Sequence, residues 1–147
     1  MCGIAGVLYD DHQRTVDAEL LRAMGAAIRH RGPDGQGTFR AGPVGLVHQR
    51  LAIIDLAGGH QPMSNEDESV QVVFNGEIYN YREIRDDLAA RGHDFRTNSD
   101  TEVLAHLYEE VGAEMCSRLR GMFAFALWDR RDDTVLLARD RLGIKPL

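Results

Sequence analysis

The chain has 147 residues, 44% of them hydrophobic, which is typical of one compact domain with a sizeable core. Seventeen Lys and Arg against 23 Asp and Glu give a net charge of −6, a field that disfavours nucleic acid and anionic lipid. No stretch approaches the roughly 18 apolar residues of a membrane helix, and no apolar leader precedes the domain. Cys2 and Cys116 are too far apart to suggest a disulfide framework or a paired-cysteine metal site. We therefore expect a soluble cytoplasmic protein with no nucleic-acid or membrane partner.

The first half of the chain predicts one helix among several short strands. Cys2 to Tyr9 is apolar nearly throughout, which predicts a strand covered on both faces. A helix with Asp17 as its N-cap follows, and the Gly-Pro-Asp turn of Arg29 to Asp34 comes after it. Three further strands are predicted at Gly37 to Arg40, Val44 to His48 and Leu51 to Leu56.

The second half predicts two more helices. A buried strand, Val70 to Phe74, stops at Asn75-Gly76-Glu77, which we interpret as a strand-to-helix turn because helical spacing begins at Tyr79 and continues to Arg91. A short strand around Asp94 to Thr97 precedes a capping box, with Ser99 as N-cap and Glu102 at N3. Two last strands are predicted at Met122 to Trp128 and Val135 to Ala138.

These elements predict an α+β fold. About three helices stand against seven or eight strands, in runs rather than in strict alternation. That order favours a sandwich over a doubly wound parallel sheet.

Three residues are candidates for a chemical role. Cys2 follows Met1 directly, so removal of Met1 would place a thiol and an α-amine on one residue, an arrangement able to activate a nucleophile. The alternative is a small apolar residue at the start of the chain. Arg50 lies between two apolar segments and needs a carboxylate partner from the protein or from a ligand. Asp100 is left unexplained by the capping box around it.

Six motifs, which follow one another in chain order, resemble those of the glutaminase domain of class II glutamine amidotransferases, in the asparagine synthetase branch. They begin at Met1-Cys2-Gly3-Ile4, Arg29-His30-Arg31-Gly32-Pro33-Asp34, Gln49-Arg50-Leu51, Phe74-Asn75-Gly76-Glu77, Ser99-Asp100-Thr101-Glu102 and Ala138-Arg139-Asp140-Arg141. The resemblance covers the whole chain. It implies the N-terminal-nucleophile hydrolase fold, a four-layer αββα sandwich of two mainly antiparallel sheets.

The resemblance also implies a role for each matching residue. Cys2, freed of Met1, is expected to be the nucleophile that attacks the side-chain amide of glutamine. The Asn75 side chain and the Gly76 backbone N–H are expected to form the oxyanion hole. The other substrate-binding residues are expected to be Arg50 for the α-carboxylate, Glu77 and Asp100 for the α-ammonium, and Ile53 through its main chain.

The implied activity is hydrolysis of L-glutamine to glutamate and ammonia through a γ-glutamyl thioester. No metal or organic cofactor is expected for this step. Residues 1–147 would form a glutaminase domain, and a synthetase domain in cis, which uses ATP and Mg²⁺, is expected beyond Leu147. The ammonia acceptor and the oligomeric state stay open, with a homodimer as one option.

Two alternatives remain open at this stage. The first is a non-catalytic glutamine-binding or regulatory module of the same fold, because a retained Met1 would make the Cys2 nitrogen an amide and remove the base. The second is an amidotransferase of the phosphoribosyl or hexosamine type. Arg31-Gly32-Pro33-Asp34 and Gly76-Glu77-Ile78-Tyr79-Asn80 favour the asparagine synthetase branch over it.

Overall fold

The computed structural model describes residues 1–147, with seven strands and four α-helices. Two short 3₁₀ turns, Arg29–Arg31 and Gly112–Glu114, interrupt the connections. The elements in chain order are β1 (Gly3–Leu8), α1 (Ala18–Ala27), β2 (Gly35–Ala41), β3 (Val44–Arg50), β4 (Met63–Ser64), β5 (Val70–Ile78), α2 (Tyr81–Ala90), α3 (Glu102–Val111), α4 (Met115–Arg118), β6 (Gly121–Asp129) and β7 (Thr134–Arg139).

The strands form two sheets in which every neighbouring pair is antiparallel. One sheet has the order β1-β3-β2 and the other β4-β5-β6-β7. Helix α1 packs on the outer face of the first sheet, and α2, α3 and α4 pack on the outer face of the second. The predicted α+β sandwich with αββα layers is therefore confirmed.

Each interface between layers has its own apolar cluster. The largest joins the second sheet to its helices and contains 17 buried residues, among them Phe74, Leu104 and Phe125. A smaller cluster that includes Leu46, Val73 and Trp128 lies between the two sheets. Side chains alternate along a strand, so β5 contributes Phe74 to one cluster and Val73 to the other.

Three strand predictions were wrong in ways that matter for the site. Strand β1 lies at a sheet edge and is not covered on both faces, and Leu8 is 56% exposed. Leu51 to Leu56 is a loop, held by hydrogen bonds from Arg50 to its carbonyl groups. Strand β5 does not stop at Phe74 but continues through Asn75-Gly76-Glu77 to Ile78, paired with β6.

The segment before α3 also differs from the prediction. Residues 94–97 form no strand, and α3 begins at Glu102 with Thr101 as its N-cap residue. Ser99 accepts from the Thr101 N–H. The Glu102 carboxylate accepts from the N–H groups of Arg96 and Thr97 instead of closing a capping box, which pins this segment as an ordered coil. The N-cap Asp17 was correct, since its side chain accepts from the Glu19 N–H.

None of the four helices combines the length and the apolar character needed to span a bilayer.

Leu104→Ala tests whether the layer between α3 and the second sheet carries the stability of the fold. Leu104 is fully buried in the largest cluster, so truncation should lower the free energy of unfolding by about 2–5 kcal/mol. Leu142→Ala is the matched control, because Leu142 is 85% exposed and should change stability by less than about 0.5 kcal/mol. Urea unfolding of both variants provides the measurement, and similar losses would contradict the assignment of the core.

Candidate active site

A small cleft of about 60 Å³ opens where the ends of β3 and β5 meet the start of the chain. Loop 51–61 covers it on one side, and the residues before α3 close it on another. Its sixteen lining residues are Met1, Cys2, Arg50, Leu51, Ile53, Ile54, Gly59, Gln61, Phe74, Asn75, Gly76, Glu77, Ser99, Asp100, Thr101 and Lys145.

The Cys2 side chain is half-buried against the start of loop 51–61. The N–H of Leu51 lies 3.3 Å from Sγ, and the thiol points to the Leu51 carbonyl at 3.6 Å. The Arg31 guanidinium donates to the Cys2 carbonyl at 3.0 Å. These contacts hold the sulfur in one place without consuming it in a disulfide.

Asn75 and Gly76 reach the cleft because β5 extends beyond the apolar core. They pair with Ala124 and Phe123 of β6, and Asn75 is only 2% exposed. A Cβ on residue 76 would lie 2.2 Å from the Met122 carbonyl oxygen, so only glycine fits there. Two potential amide donors are thus carried on a paired strand instead of a mobile turn, which limits how far they can move.

Arg50 ends β3 with its guanidinium in the cleft and is 6% exposed. Nη1 donates to the Leu56 carbonyl at 3.1 Å and Nη2 to the Asp55 carbonyl at 2.6 Å. The loop is also held from outside, because the Ala52 N–H donates to the Asp34 carboxylate at 2.9 Å. Arg50 has five N–H donors, so the loop contacts leave others for an anion in the cleft.

Asp100 is a buried carboxyl, 4% exposed, that accepts from the Ile78 N–H at 3.0 Å. Burial is the main reason that its pKa rises to about 6; the Ile78 N–H opposes the rise and the negative charge of Glu77 adds to it. The carboxyl therefore lacks a cation inside the protein that would compensate its charge. A positively charged ligand group between Asp100 and Glu77 would supply one.

Backbone N–H groups surround the Asp140 carboxylate, and this arrangement places Lys145 in the cleft. Burial would raise the Asp140 pKa, but four backbone N–H groups donate to the carboxylate and hold the pKa at about 2. The donors are those of Phe123, Leu142, Ile144 and Lys145. The Lys145 ammonium is buried and lies 3.1 Å from the Met1 sulfur, so Met1 forms part of the cleft wall.

All seven residues that the sequence singled out line this one cleft: Cys2, Arg50, Ile53, Asn75, Gly76, Glu77 and Asp100. Sequence reasoning did not single out Leu51, Gln61 or Lys145. Gln61 accepts from the Phe74 N–H at 2.6 Å and donates to Thr101 Oγ1 at 3.1 Å, which ties the loop to β5 and to the start of α3. Lys145 lies near the end of the sequence, but no sequence pattern indicated that it would line the cleft.

The chain is similar over its full length to curated asparagine synthetases. It is 49% identical over 150 residues to asparagine synthetase [glutamine-hydrolyzing] 1 of Bacillus subtilis, and 49% identical over 151 residues to asparagine synthetase [glutamine-hydrolyzing] 1 of Arabidopsis thaliana. It covers 24% and 25% of these two proteins. The chain thus spans about a quarter of the length of the curated relatives that it matches.

Solved structures support the fold. An enzyme described as the allosteric regulatory enzyme of purine biosynthesis aligns over 97% of this chain and 38% of its own, with a TM-score of 0.76 and 22% identity. Glutamine phosphoribosylpyrophosphate amidotransferase from B. subtilis aligns over 99% of this chain and 38% of its own, with a TM-score of 0.73 and 22% identity.

A family model described as the glutamine amidotransferase domain matches residues 1–147, the whole of the chain. The match agrees with the two-sheet sandwich and with the similarity to glutamine-hydrolysing synthetases. The chain belongs to the glutamine amidotransferase domain family.

Proposed function

We propose that this cleft hydrolyses the side-chain amide of L-glutamine, with Cys2 as the nucleophile once Met1 has been removed. The observation that carries the proposal is the convergence of a thiol, two amide donors, an arginine and two carboxylates in one cleft, from four separate segments of the chain.

Removal of Met1 does two things at this site. It converts the Cys2 amide nitrogen into an α-amine, whose ordinary pKa of roughly 7.7 to 8 suits a base near neutral pH. It also removes a side chain that lines the cleft and rests on Lys145. The first peptide bond therefore controls both the base and the room for substrate.

The reaction is an acyl transfer in two halves. The α-amine takes the thiol proton, and Sγ attacks the amide carbon of glutamine to give a tetrahedral oxyanion. The C–N bond breaks, the amine returns its proton to the leaving nitrogen, and ammonia departs from a γ-glutamyl thioester. Water, deprotonated by the same amine, then cleaves the thioester to glutamate and restores the thiol.

The oxyanion is stabilised by the Asn75 side-chain amide and the Gly76 N–H. Both sit on a strand that pairing with β6 holds in place, so little reorganisation is required when charge develops. A single preorganised donor of this kind contributes roughly 2.7–4 kcal/mol to lowering the barrier.

Glutamine is recognised at both ends of its amino-acid group. The Arg50 guanidinium donates to the α-carboxylate through those N–H groups that do not donate to the loop carbonyls. Glu77 and Asp100 receive the α-ammonium, which compensates the buried Asp100 charge, and the main chain at Ile53 closes the pocket. A simple amide lacks both charges and would leave these groups unpaired, which provides selectivity.

The reaction needs no metal or organic cofactor, because the chain supplies the nucleophile, the base and the oxyanion donors. We propose that the ammonia passes to an ATP- and Mg²⁺-dependent synthetase domain joined in cis, as the length of the asparagine synthetase relatives suggests. The acceptor would be a carboxylate, with aspartate as the first candidate. A reducing compartment such as the cytoplasm would keep the Cys2 thiol available.

The second candidate is a non-catalytic module that binds glutamine without turnover. The observation in its favour is Met1, which contributes to the cleft wall while its peptide bond blocks the Cys2 amine. Intact mass of the protein from cells decides between them, since the catalytic proposal requires the loss of Met1.

Cys2→Ala should abolish ammonia release from glutamine, because no other group in the cleft can form the thioester. Cys116→Ala is the matched control, as Cys116 packs against the helical core away from the cleft and should retain activity. Ammonia production by the processed protein is the measurement. Equal rates from the Cys2→Ala variant and the unmodified protein would overturn the proposal.

Asn75→Ala should lower kcat for glutamine by roughly 10²–10³-fold and change KM much less, since its donor acts on the oxyanion and not on the bound substrate. Asn98→Ala removes an exposed amide outside the cleft and should leave both constants unchanged. Steady-state kinetics separates the two effects. A rise in KM with an unaltered kcat would contradict the oxyanion role.

Asp100 should make glutamine binding depend on pH. Its carboxyl is neutral below a pKa of about 6, so KM should rise as the pH falls through 6, and Asp100→Asn should raise KM at least about tenfold and flatten this dependence. The raised pKa also destabilises the folded state as pH rises above the unfolded value of about 3.9, so Asp100→Asn should stabilise the free protein at pH 8 by roughly 1–3 kcal/mol. The pH dependence of KM tests the first effect, and urea unfolding at pH 8 tests the second. A variant with unchanged KM would exclude Asp100 from the ammonium site.

A further inference from the structure

A second group of titratable side chains lies outside the cleft, on the helical side of the second sheet. Glu66 precedes β5, His93 follows α2, and His106 and Glu109 lie one turn apart on α3. One ligand atom from each of the four residues lies within 4.8 Å of all the others. Three separate segments therefore converge on one point, and none of these residues lines the cleft.

Four of the distances within the group are close to the edge length of a tetrahedron around a small cation. Glu66 Oε2 lies 3.3 Å from His106 Nδ1, and Glu66 Oε1 lies 3.5 Å from His93 Nδ1. Glu109 Oε2 lies 3.8 Å from the Nδ1 atoms of both histidines. Ligands at the usual zinc distances of about 2.0–2.2 Å would be separated by about 3.4 Å in a regular tetrahedron, so small adjustments would close the site.

Three atoms of the group are buried without hydrogen-bond partners. His106 is 1% exposed, and neither of its ring nitrogens makes a hydrogen bond. Glu109 Oε2 is also buried and unpaired. Buried polar atoms in proteins are nearly always satisfied, and a cation at the centre of the group would satisfy His106 Nδ1 and Glu109 Oε2 together.

The surrounding residues orient these ligands toward the centre. His93 Nε2 lies 3.1 Å from Glu110 Oε1, and His106 Nε2 lies 3.8 Å from Glu102 Oε1, so both rings offer Nδ1 inward. The outer oxygen of Glu109 is 3.4 Å from Arg131. The Glu110 carboxylate within hydrogen-bond distance behind His93 is the arrangement that fixes the tautomer and ring direction of histidine ligands to zinc.

We propose that Glu66, His93, His106 and Glu109 bind one Zn²⁺ ion. Two neutral imidazoles and two carboxylates suit a divalent cation of intermediate softness, and the two negative charges balance its charge. Four protein ligands leave no open coordination position, which is the pattern of a structural site. Helix α3 begins two residues after Asp100. The ion joins this helix to the segment before β5 and to the segment after α2.

The proposed zinc ion takes no part in glutamine hydrolysis, the step for which no metal is expected. Only the His106 and Glu109 spacing on one helix was visible in the sequence, whereas Glu66 and His93 come from distant segments.

Zinc titration of the chelator-treated protein tests the proposal by calorimetry. One equivalent should bind and raise the melting temperature. Co²⁺ in place of Zn²⁺ should give the visible absorption of a tetrahedral site without a thiolate charge-transfer band, because Cys2 and Cys116 are not ligands. His93→Gln should weaken Zn²⁺ binding at least about 100-fold, and His12→Gln, at an exposed histidine paired with Asp133, should bind as the unmodified protein does.

The alternative outcome is a cluster that binds no ion and is held by contacts among its own side chains. Absence of one-equivalent binding overturns the proposal, and so does unchanged affinity in His93→Gln and Glu109→Gln. A thiolate band in the Co²⁺ spectrum would place the ion at a cysteine instead. His93 is the preferred site of substitution because, unlike His106, it lies outside the fully buried core, so loss of folding does not confuse the result.

Discussion

The cleft depends on the pairing of β5 with β6 beyond the apolar part of the strand. Asn75 and Gly76 remain paired with Ala124 and Phe123 of β6, and a Cβ on residue 76 would meet the Met122 carbonyl oxygen, so no side chain fits there. Alternation along β5 sends Phe74 to the helical core and Val73 to the space between the sheets. Because packing on both faces fixes the strand, the two amide donors are fixed with it.

The same strand end sets the electrostatics of the cleft. The Ile78 N–H donates to Asp100 and so binds the start of α3 to the end of β5. The Ile78 N–H and the other nearby backbone N–H groups do not offset burial and the nearby charge of Glu77, so the pKa of Asp100 is raised to about 6. In the proposed function the bound α-ammonium provides the missing positive charge. The buried Asp100 charge lowers the stability of the free protein, and its pairing with the ammonium group strengthens substrate binding.

The layers of the fold could be predicted from the sequence because hydrophobic period and turn residues report them directly. The failures cluster around the site. Leu51 to Leu56 has the composition of a strand, but the Arg50 guanidinium binds its carbonyl groups and keeps it a loop. Asn75-Gly76 has the composition of a turn, yet tertiary pairing extends β5 through it. In both cases a long-range contact, invisible to local pattern, overrides the local preference.

The residues of the candidate site could be predicted for a different reason. No spacing in the chain predicts that Cys2, Arg50, Asn75 and Asp100 converge, and only the resemblance to glutamine amidotransferases placed them together. The cluster of Glu66, His93, His106 and Glu109 had no such guide, and it emerged only from the distances between three folded segments. Long-range convergence is thus the part of this molecule that local sequence patterns do not contain.

The central claim is that Cys2, with a free α-amine, carries the γ-glutamyl group of glutamine. Rapid acid quench of the processed protein during turnover, followed by peptide mass spectrometry, tests it most directly. A transient adduct of one γ-glutamyl group should appear on the N-terminal peptide, at Cys2, and should be absent when Met1 is retained. Ammonia release with no adduct at any time, or an adduct on Cys116, would contradict it.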